Sequence, residues 1–253
     1  MSVTSERIEA GNVATATRPT RPRVSVVVPA LNEARNLELV LSALPSVHEV
    51  ILVDGGSVDG TVATARRLMP DIRVIRQRRH GKGNALAAGF AEVTGDVVVT
   101  FDANGSADPH EIPRFVAALV DGADFAKGSR LRRRGSAWPA GITSRVLGKE
   151  LSDLCYGYNA FWADLAPMLD LPDHELPAPR HGEMLWGDGF EIETVINCRF
   201  AAAEAVITEV PVTGVSNGQG VGAFHVARAG LRVLWTLLRE RRRVPVTRAA
   251  VVS

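Results

Sequence analysis

VVVTFDANGSADP, residues 97–109, is the stretch on which the interpretation of the fold depends. An apolar run ends abruptly at Asp102, and polar side chains follow at every second position, at Asn104, Ser106 and Asp108. A strand that is apolar at nearly every position is typical of a parallel sheet covered on both faces. Ligands of such sheets bind beyond the carboxyl ends of the strands. The stretch therefore predicts either a metal-binding strand end or a polar turn rich in Asn and Asp.

The same pattern of apolar strand and amphipathic helix recurs through the first half of the chain. The predicted strands are residues 23–28, 48–53, 72–75 and 96–101, and the helices between them are 34–44, 61–69 and 83–93. This alternation predicts an α/β fold, with a mostly parallel sheet flanked by helices, in a single domain.

The second half has a weaker pattern. Its predicted elements are a helix over 114–121, a strand over 124–129, a helix over 143–169 broken near Gly157, a long loop over 171–189, a helix over 190–203, a strand over 205–212 and a closing helix over 224–243. Residues 1–22 are polar and aperiodic, which predicts a disordered N-terminal tail, and residues 244–253 are expected to form a C-terminal tail.

The composition is that of a soluble globular protein, with 253 residues, 46% hydrophobic and 23% charged, and a formal net charge of +1. Cys155 and Cys198 are too few for a disulfide framework or a zinc site, which favours a reducing compartment. No apolar run approaches the roughly 20 residues that span a bilayer, and the N-terminus lacks the apolar segment of a signal peptide. We expect a cytoplasmic protein that does not bind nucleic acid.

Two motifs follow the first two predicted strands. In VVVPALNE (26–33), Asn32 and Glu33 stand at a helix start, which by itself is typical of an N-cap followed by a favourable first-turn acid. In VDGGSVDGT (53–61), Asp54 stands at a strand end and is able to accept hydrogen bonds from a base or a ribose, although a tight turn with Asp59 as a cap is the favoured interpretation of this stretch by itself. The glycine spacing fits neither a dinucleotide fingerprint nor a Walker A loop.

Two further motifs carry charge. In RRHGKGNAL (78–86), Lys82 lies between glycines at a helix N-terminus, where free N–H groups favour an anion such as diphosphate, with a solvated basic loop as the alternative. Asp102 and Asn104 are two residues apart and point the same way from extended backbone. Two oxygen donors suit a hard divalent cation that also takes water and phosphate oxygens, but Asn104 adds no charge and predicts a weaker site.

In this order, the four motifs resemble those of the family 2 glycosyltransferases of the GT-A fold. The resemblance is strong over residues 23–130 and weaker through KGSR (127–130), SDLCYGYNAF (152–161), GFEIE (189–193) and the closing helix. The later series is similar to polyprenyl-phosphate (dolichol-phosphate) mannosyltransferases. The resemblance implies one GT-A domain over 23–243, in which 23–130 bind the nucleotide-sugar and 131–243 form the acceptor part.

The resemblance also implies roles for individual residues. Lys82 and Arg130 match positions near the diphosphate, and Asp102 and Asn104 match a metal-binding Asp-x-Asp, with Ser106 at the place of a third ligand. The positions that match the base- and ribose-binding residues of the family are Pro29, Asn32, Glu33 and Asp54. The implied reaction is inverting transfer from a GDP- or UDP-sugar with Mg²⁺ or Mn²⁺, in which Asp102 and Arg130 contribute to catalysis.

The chain departs from the family pattern in four places. Gly55 stands where paired aspartates are frequent, and Asn104 replaces the usual second Asp. The Glu-Asp and Gln-x-x-Arg-Trp signatures of processive synthases are absent. The sequence from Asn217 to Ala223 lacks the Arg, Ser and Lys that the polyprenyl-phosphate branch tends to carry before its closing helix, so two cationic contacts to an acceptor phosphate are missing.

The closing helix has two periodic faces. The predicted core face comprises Ala227, Gly230, Leu231, Leu234 and Leu238. The predicted basic stripe comprises Arg228, Arg232, Trp235, Arg239 and Arg242. A basic stripe with a Trp suits an anionic membrane surface, which predicts peripheral contact with the cytoplasmic membrane face through 224–243, whereas a solvated arginine-rich face is the alternative.

The acceptor decides whether a catalytic base is needed. A polyprenyl phosphate, the preferred acceptor, is already an anionic nucleophile, whereas a hydroxyl acceptor needs a carboxylate to take its proton. Asp153, Asp188 and Glu191 are the candidate bases. The alternatives are transfer to a soluble hydroxyl acceptor and a non-catalytic nucleotide-sugar-binding protein, in which Asn104 marks a lost metal site. A nucleotidyltransferase is disfavoured, because its glycine-rich basic loop is absent after the first strand.

Overall fold

The computed structural model describes residues 18–130, 151–180, 183–212 and 223–243, the side chains of the last range from Leu231 onward. Several sequence predictions lie outside the described residues. These are the tail over 1–17, the start of the predicted helix over 143–150, the stretch 217–222, the side chains of Ala227, Arg228 and Gly230, and the tail over 244–253.

The described strands form one seven-stranded sheet in the order β3-β2-β1-β4-β6-β5-β7. The strands are β1 (Val24–Ala30), β2 (Glu49–Asp54), β3 (Arg73–Arg76), β4 (Val97–Thr100), β5 (Phe125–Arg130), β6 (Asn159–Trp162) and β7 (Ile207–Val212). All neighbouring pairs are parallel except the two that β6 makes, with β4 and with β5. The sheet is therefore mostly parallel, as the sequence predicts.

Helices connect and cover the strands. They are α1 (Ala34–Ser42), α2 (Thr61–Leu68), α3 (Lys82–Ala91), α4 (Ile112–Val120), α5 (Ile192–Ala202) and α6 (Ala223–Glu240), with 3₁₀ turns at Pro109–Glu111, Ala163–Leu169 and Arg241–Arg243. The predicted elements of the first half and the strand over 124–129 are confirmed to within a few residues.

The centre of the core is the apolar middle of the sheet. Val26, Val27 and Val28 of β1 have no exposed side-chain surface, and β4 is buried at all four positions. Helices on both faces exclude water from these strands, which is why they are apolar at successive positions instead of every second one. Because parallel strands end on the same side, the residues after β1, β2 and β4 share one edge of the sheet.

The predicted helix over 143–169 is wrong in its described part. Residues 159–162 form β6, which inserts antiparallel between β4 and β5, and a 3₁₀ turn over Ala163–Leu169 follows. All four residues of β6 are buried. A short, fully buried strand has no period-two alternation, so its apolar run does not differ from that of a buried helix.

The predicted core face of the closing helix is also wrong. The buried residues of α6 are Val233, Thr236, Leu237 and Glu240, whereas Leu231, Leu234 and Leu238 are exposed. Glu240 belongs to the buried face because Arg199 of α5 pairs with it at 3.2 Å and the Trp186 indole N–H donates to it at 2.7 Å. Because one position of the buried face is a carboxylate, a search for apolar residues at helical spacing does not identify this face.

Arg18, which lies in the predicted N-terminal tail, contacts two residues of the folded domain. It pairs with Asp164 at 2.5 Å, and its guanidinium carbon lies 4.8 Å from the centre of the Trp162 ring.

In the part of the chain that the structure describes, no helix combines the length and the apolar character needed to cross a bilayer.

Adjacent leucines of α6 test its orientation. Leu237→Ala should lower the free energy of unfolding by about 2–5 kcal/mol, because it leaves a cavity at a fully buried site. Leu238→Ala, the matched control at a position that is 54% exposed, should change it by less than about 1 kcal/mol. Urea unfolding measures both, and equal losses would contradict this orientation.

Candidate active site

A cavity of about 350 Å³ opens at the carboxyl edge of the sheet, between the end of β4 and the helices α5 and α6. It is lined by Lys82, Asp102, Asn104, Ser106, Arg130, Cys155, Tyr156, Phe190, Glu191, Glu193, Thr194, Arg232 and Val233. Six of these residues are sites predicted from the sequence. The cavity therefore brings the charged motifs of both halves of the chain together.

The central contact in the cavity is made by Lys82. Its ammonium group lies 2.5 Å from Asp102 Oδ1 and also pairs with the Glu193 carboxylate, and all three side chains are largely buried. Gly157 makes room for the contact, because a Cβ there would lie 2.6 Å from Lys82 Nζ and 2.9 Å from Asp102 Oδ2. Lys82 thus joins the strand end after β4 to the first turn of α5.

Burial and the neighbouring negative charges shift the pKa of Lys82 in opposite directions. Burial alone would lower the pKa of Lys82, but the negative charges of Asp102 and Glu193 outweigh it and raise the pKa above its ordinary value. For Glu193, burial dominates over the attraction of Lys82 and raises the pKa of the carboxyl. The cavity floor consequently keeps a fixed positive charge at Lys82 over the neutral pH range.

The sequence leaves two interpretations of the stretch from Asp102 to Ser106 open, a polar turn and a metal-binding strand end, and the structure shows features of both. The Asn104 side-chain oxygen accepts a hydrogen bond from the Ser106 N–H at 2.9 Å, as in an Asx turn, and all three polar side chains also line the cavity. Among the described residues, no three His, Cys, Asp or Glu side chains form a group that would hold a metal ion.

The donor set nevertheless fits a hard divalent cation in part. A carboxylate, an amide oxygen and a hydroxyl are oxygen ligands of the kind that Mg²⁺ and Mn²⁺ prefer. Asp102 is the one anion among them, and it already pairs with Lys82. An ion held here would depend on phosphate oxygens of a ligand for the rest of its coordination.

Arg130 and Asp153 form a second ion pair beside the cavity. Both oxygens of Asp153 accept from the Arg130 guanidinium, at 2.6 and 3.0 Å, and the guanidinium carbon lies 4.8 Å from the Tyr156 ring. Burial raises the pKa of Asp153, but the hydrogen bonds and charge of Arg130 outweigh it, so the pKa is lowered. A carboxyl with a lowered pKa and two occupied oxygens is a poor proton acceptor.

The start of α3 differs from the sequence prediction of free N–H groups. The N–H groups of Gly83 and Asn84 donate to the carbonyl oxygen of Asp188, at 2.7 and 3.3 Å. Gly81 and Gly83 are needed for this contact, because a Cβ at either position would overlap the backbone of residues 187–188. These N–H groups therefore bind the loop, and only the side chain of Lys82 faces the cavity.

Two of the candidate bases maintain the loop before α5. Asp188 is buried, does not line the cavity, and accepts from Arg79 at 2.7 and 2.9 Å. Arg79 also donates to the carbonyl oxygens of Asp173 and Leu176, so it fastens the loop at both ends. The prediction of Asp188 as a candidate catalytic base is therefore wrong. Glu191 lines the cavity, but its Oε1 accepts from the N–H groups of Gly187 and Gly189.

The residues predicted to bind base and ribose form a separate cluster at the ends of β1 and β2. Pro29 lies opposite Val53 in the parallel pairing, and the N–H of Asn32, a residue with a φ of 58°, donates to the Ser57 hydroxyl at 2.9 Å. The Asp54 carboxylate accepts from the N–H groups of Gly56 and Ser57. None of the four predicted residues lines the cavity, although the cluster occupies the same sheet edge.

The N-cap interpretation of Asn32 is wrong. The first N–H of α1, at Ala34, donates to Asp59 at 3.1 Å, and the Glu33 N–H donates to the Thr61 hydroxyl at 2.9 Å. Asp59 also accepts from the Thr61 N–H at the start of α2. The loop after β2 therefore caps two helices, and the Asn32 oxygen accepts from the Val58 N–H instead.

Several cavity residues are missed by the sequence reasoning. Glu193 is the clearest, because it stands two residues after Glu191 in the GFEIE motif and contacts Lys82. Tyr156 lies in the motif SDLCYGYNAF, and Phe190 has no distinguishing signal beyond its neighbours. Arg232 is predicted from the sequence only as a member of the basic stripe, and not as a cavity residue. Asp153 is predicted for the site, but it reaches the cavity through Arg130.

The family model for glycosyl transferase family 2 matches residues 25–168, more than half of the chain. The chain belongs to glycosyl transferase family 2.

Two relatives extend this result. An uncharacterized glycosyltransferase of Mycobacterium tuberculosis is 39% identical over 46% of this chain and 52% of its own length, so the chain spans about half the length of that relative. A polyprenol monophosphomannose synthase of Mycolicibacterium smegmatis is 37% identical, and its match covers 92% of this chain and 96% of the relative.

A crystal structure of glucosyl-3-phosphoglycerate synthase from Mycobacterium tuberculosis in complex with Mn²⁺, UDP and phosphoglyceric acid superposes with a TM-score of 0.65. It is 24% identical, and the match covers 87% of this chain and 78% of that one. This similarity confirms the predicted GT-A fold.

Neighbouring arginines test the structural role of Asp188. Arg79→Lys should lower the free energy of unfolding by about 1–3 kcal/mol and speed proteolysis within residues 173–188, because lysine cannot maintain the paired bonds to Asp188 together with those to two carbonyl groups.

Arg78→Lys is the matched control, because Arg78 is exposed and its ion-pair partner, among the residues that the structure describes, is Glu175 at the surface. Urea unfolding and limited proteolysis of both variants distinguish them. Equal behaviour of the two variants would show that the Arg79–Asp188 pair does not fix the loop.

Proposed function

We propose that this chain transfers a sugar, with inversion, from a nucleotide-diphosphate sugar to a polyprenyl phosphate. The observation that carries the proposal is the single cavity in which Lys82, Asp102 and Arg130 face Phe190 and Arg232. The first three match diphosphate and metal positions of the family, and the last two come from the acceptor part. The Mycolicibacterium smegmatis synthase, which aligns over nearly the full length of both proteins, supports a polyprenyl acceptor.

Each part of the site has a role in this proposal. Pro29, Asn32, Glu33 and Asp54 bind the base and ribose of a GDP- or UDP-sugar at the ends of β1 and β2. Lys82 and Arg130 stabilise the charge of the departing diphosphate from fixed positions. Asp102, Asn104 and Ser106 would hold Mg²⁺ or Mn²⁺, which when bound neutralises charge on the leaving group. The Mn²⁺ and UDP complex of the structural neighbour supports this choice of ions.

The state of the carboxylates favours a phosphate acceptor. A phosphate oxygen attacks the anomeric carbon as the bond to the diphosphate breaks, so no proton has to be removed. The pKa of Asp153 is lowered by Arg130, and Glu191 caps the loop. Glu193 is the cavity carboxylate whose pKa is raised, and this supports transfer to a hydroxyl as the second candidate.

The outer surface of α6 supports a location at the cytoplasmic membrane face. Four large apolar side chains are exposed there with two arginines, and we name them the docking surface: Leu231, Leu234, Trp235, Leu238, Arg239 and Arg242. Trp235 is 58% exposed and Leu231 is 69% exposed. Arg239 stacks 4.2 Å from the Trp186 ring and 5.5 Å from Trp235. Apolar side chains flanked by arginines suit the interface of an anionic bilayer.

Transfer and metal binding test the proposed reaction together. The purified chain should transfer sugar from one of a panel of GDP- and UDP-sugars to polyprenyl phosphate in the presence of Mn²⁺. Asp102→Asn should lower the rate by about 100-fold or more, because it removes the charge shared by Lys82 and the metal. Asp108→Asn is the matched control, because Asp108 accepts from His110 and does not line the cavity.

Metal affinity provides a readout that does not depend on turnover. In titrations with nucleoside diphosphate present, Asn104→Asp should tighten Mn²⁺ binding by about tenfold, because it adds a charge to the donor set. Weaker binding would contradict the assignment of this stretch. Nucleotide binding without any transfer would instead support a non-catalytic protein, and transfer to a soluble hydroxyl alone would overturn the lipid acceptor.

Vesicle flotation tests the docking surface. The chain should float with vesicles of phosphatidylglycerol and phosphatidylcholine, less at high salt, and little with phosphatidylcholine alone. Trp235→Ala with Leu238→Ala should reduce binding by about tenfold or more. Leu39→Ala is the control, because Leu39 of α1 is 72% exposed and lies outside the docking surface. If flotation is absent, or is unchanged in the double variant, the docking surface is wrong.

A further inference from the structure

Three cations line the cavity, and they differ in their partners. Lys82 is paired with Asp102 and Glu193, and Arg130 is paired with both oxygens of Asp153. Arg232, by contrast, makes no ion pair with any of the residues that the structure describes. Its guanidinium is therefore the lining cation whose charge is not already balanced by a carboxylate.

The charges of the residues that line the cavity show why a cation without a carboxylate partner is needed there. Asp102, Glu191 and Glu193 contribute three carboxylates, which equal Lys82, Arg130 and Arg232 in number. The donor of the proposed reaction carries a diphosphate and the acceptor carries a further phosphate, so two anionic groups must enter one cavity. Lys82 lies on the Asp102 side of the cavity, where Asp102, Asn104 and Ser106 would also hold a divalent ion, and the second anion requires a cation elsewhere.

Arg232 lies at the junction of the cavity and the docking surface. It projects from α6 between exposed Leu231 and buried Val233, and Val233 lines the same cavity. The guanidinium carbon lies 5.9 Å from the centre of the Phe190 ring, which comes from the loop before α5. A phosphate that hangs from an apolar chain held at the docking surface would enter the cavity beside this residue.

We propose that Arg232 binds the phosphate of the acceptor and that this subsite determines the preference for a phosphorylated acceptor. The inference rests on the proposed function. The planar guanidinium presents paired N–H donors that match two phosphate oxygens, and the Phe190 ring supports its orientation.

The sequence provides a second reason for this assignment. The family's cationic contacts before the closing helix are missing, and residues 213–227 contain no Lys or Arg. Arg232 presents a cation from the helix itself, five residues beyond that segment. The phosphate contact would thereby be coupled to the seating of α6 on the membrane.

The test compares steady-state parameters of Arg232→Gln with those of the wild-type chain, with polyprenyl phosphate as the acceptor. The KM for the acceptor should rise by about tenfold or more, as expected for the loss of a charged hydrogen bond, and the KM for the nucleotide-sugar should stay within about twofold. Arg232→Lys should recover part of the loss, because it restores charge without the paired geometry.

Arg241→Gln is the matched control, because Arg241 is an exposed arginine just beyond α6 that lines neither the cavity nor the docking surface. It should leave both KM values unchanged, and vesicle flotation of all variants separates phosphate recognition from membrane binding. If the wild-type chain does not transfer sugar to polyprenyl phosphate, the proposed function itself fails. If it does and Arg232→Gln keeps its acceptor KM, only the phosphate subsite is wrong.

Discussion

The cavity depends on a close backbone contact between residues 187–189 and the first turn of α3. The Gly83 N–H donates to the Asp188 carbonyl at 2.7 Å, a distance that is reached because Gly81 and Gly83 have no Cβ to obstruct it. Helix α5 begins three residues later, at Ile192, so the position of the loop fixes the position of Glu193. A side chain at either glycine would overlap the backbone of residues 187–188 and would force the loop away from α3.

Once the halves are in contact, their charges determine what the site is able to do. Lys82, at the start of α3, is neutralised in part by Asp102 after β4 and in part by Glu193 in the first turn of α5. A buried lysine between two carboxylates is oriented before any ligand arrives, so in the proposed reaction little reorganisation would be needed as a diphosphate loses its bond to the sugar. The same arrangement means that a hydroxyl acceptor would have to compete with Lys82 for the Glu193 carboxylate.

The parts of the fold and of the site that are predictable from the sequence follow from general rules for parallel sheets. Strands β1, β2 and β4 are buried on both faces, so their apolar runs are continuous, and the polar residues after them necessarily share one sheet edge. The same rule places Asp102, Asn104 and Ser106, which follow β4, at the same edge as Lys82, which follows the parallel strand β3. Strand β6 and the partners of Asp188 were not predictable, because both depend on contacts between distant segments that leave no local period.

The wrong prediction of the buried face of α6 is itself informative about the surface of this helix. Its sequence has apolar residues on two sides, and the side with more leucines was assigned to the core. The fold instead buries the side with Glu240, because Arg199 is buried beneath it and needs a carboxylate partner. Burying that ion pair leaves Leu231, Leu234 and Leu238 in contact with solvent. Three exposed leucines beside a Trp form an apolar surface patch of the kind that marks an interaction site, and this is the patch that the proposed membrane contact would cover.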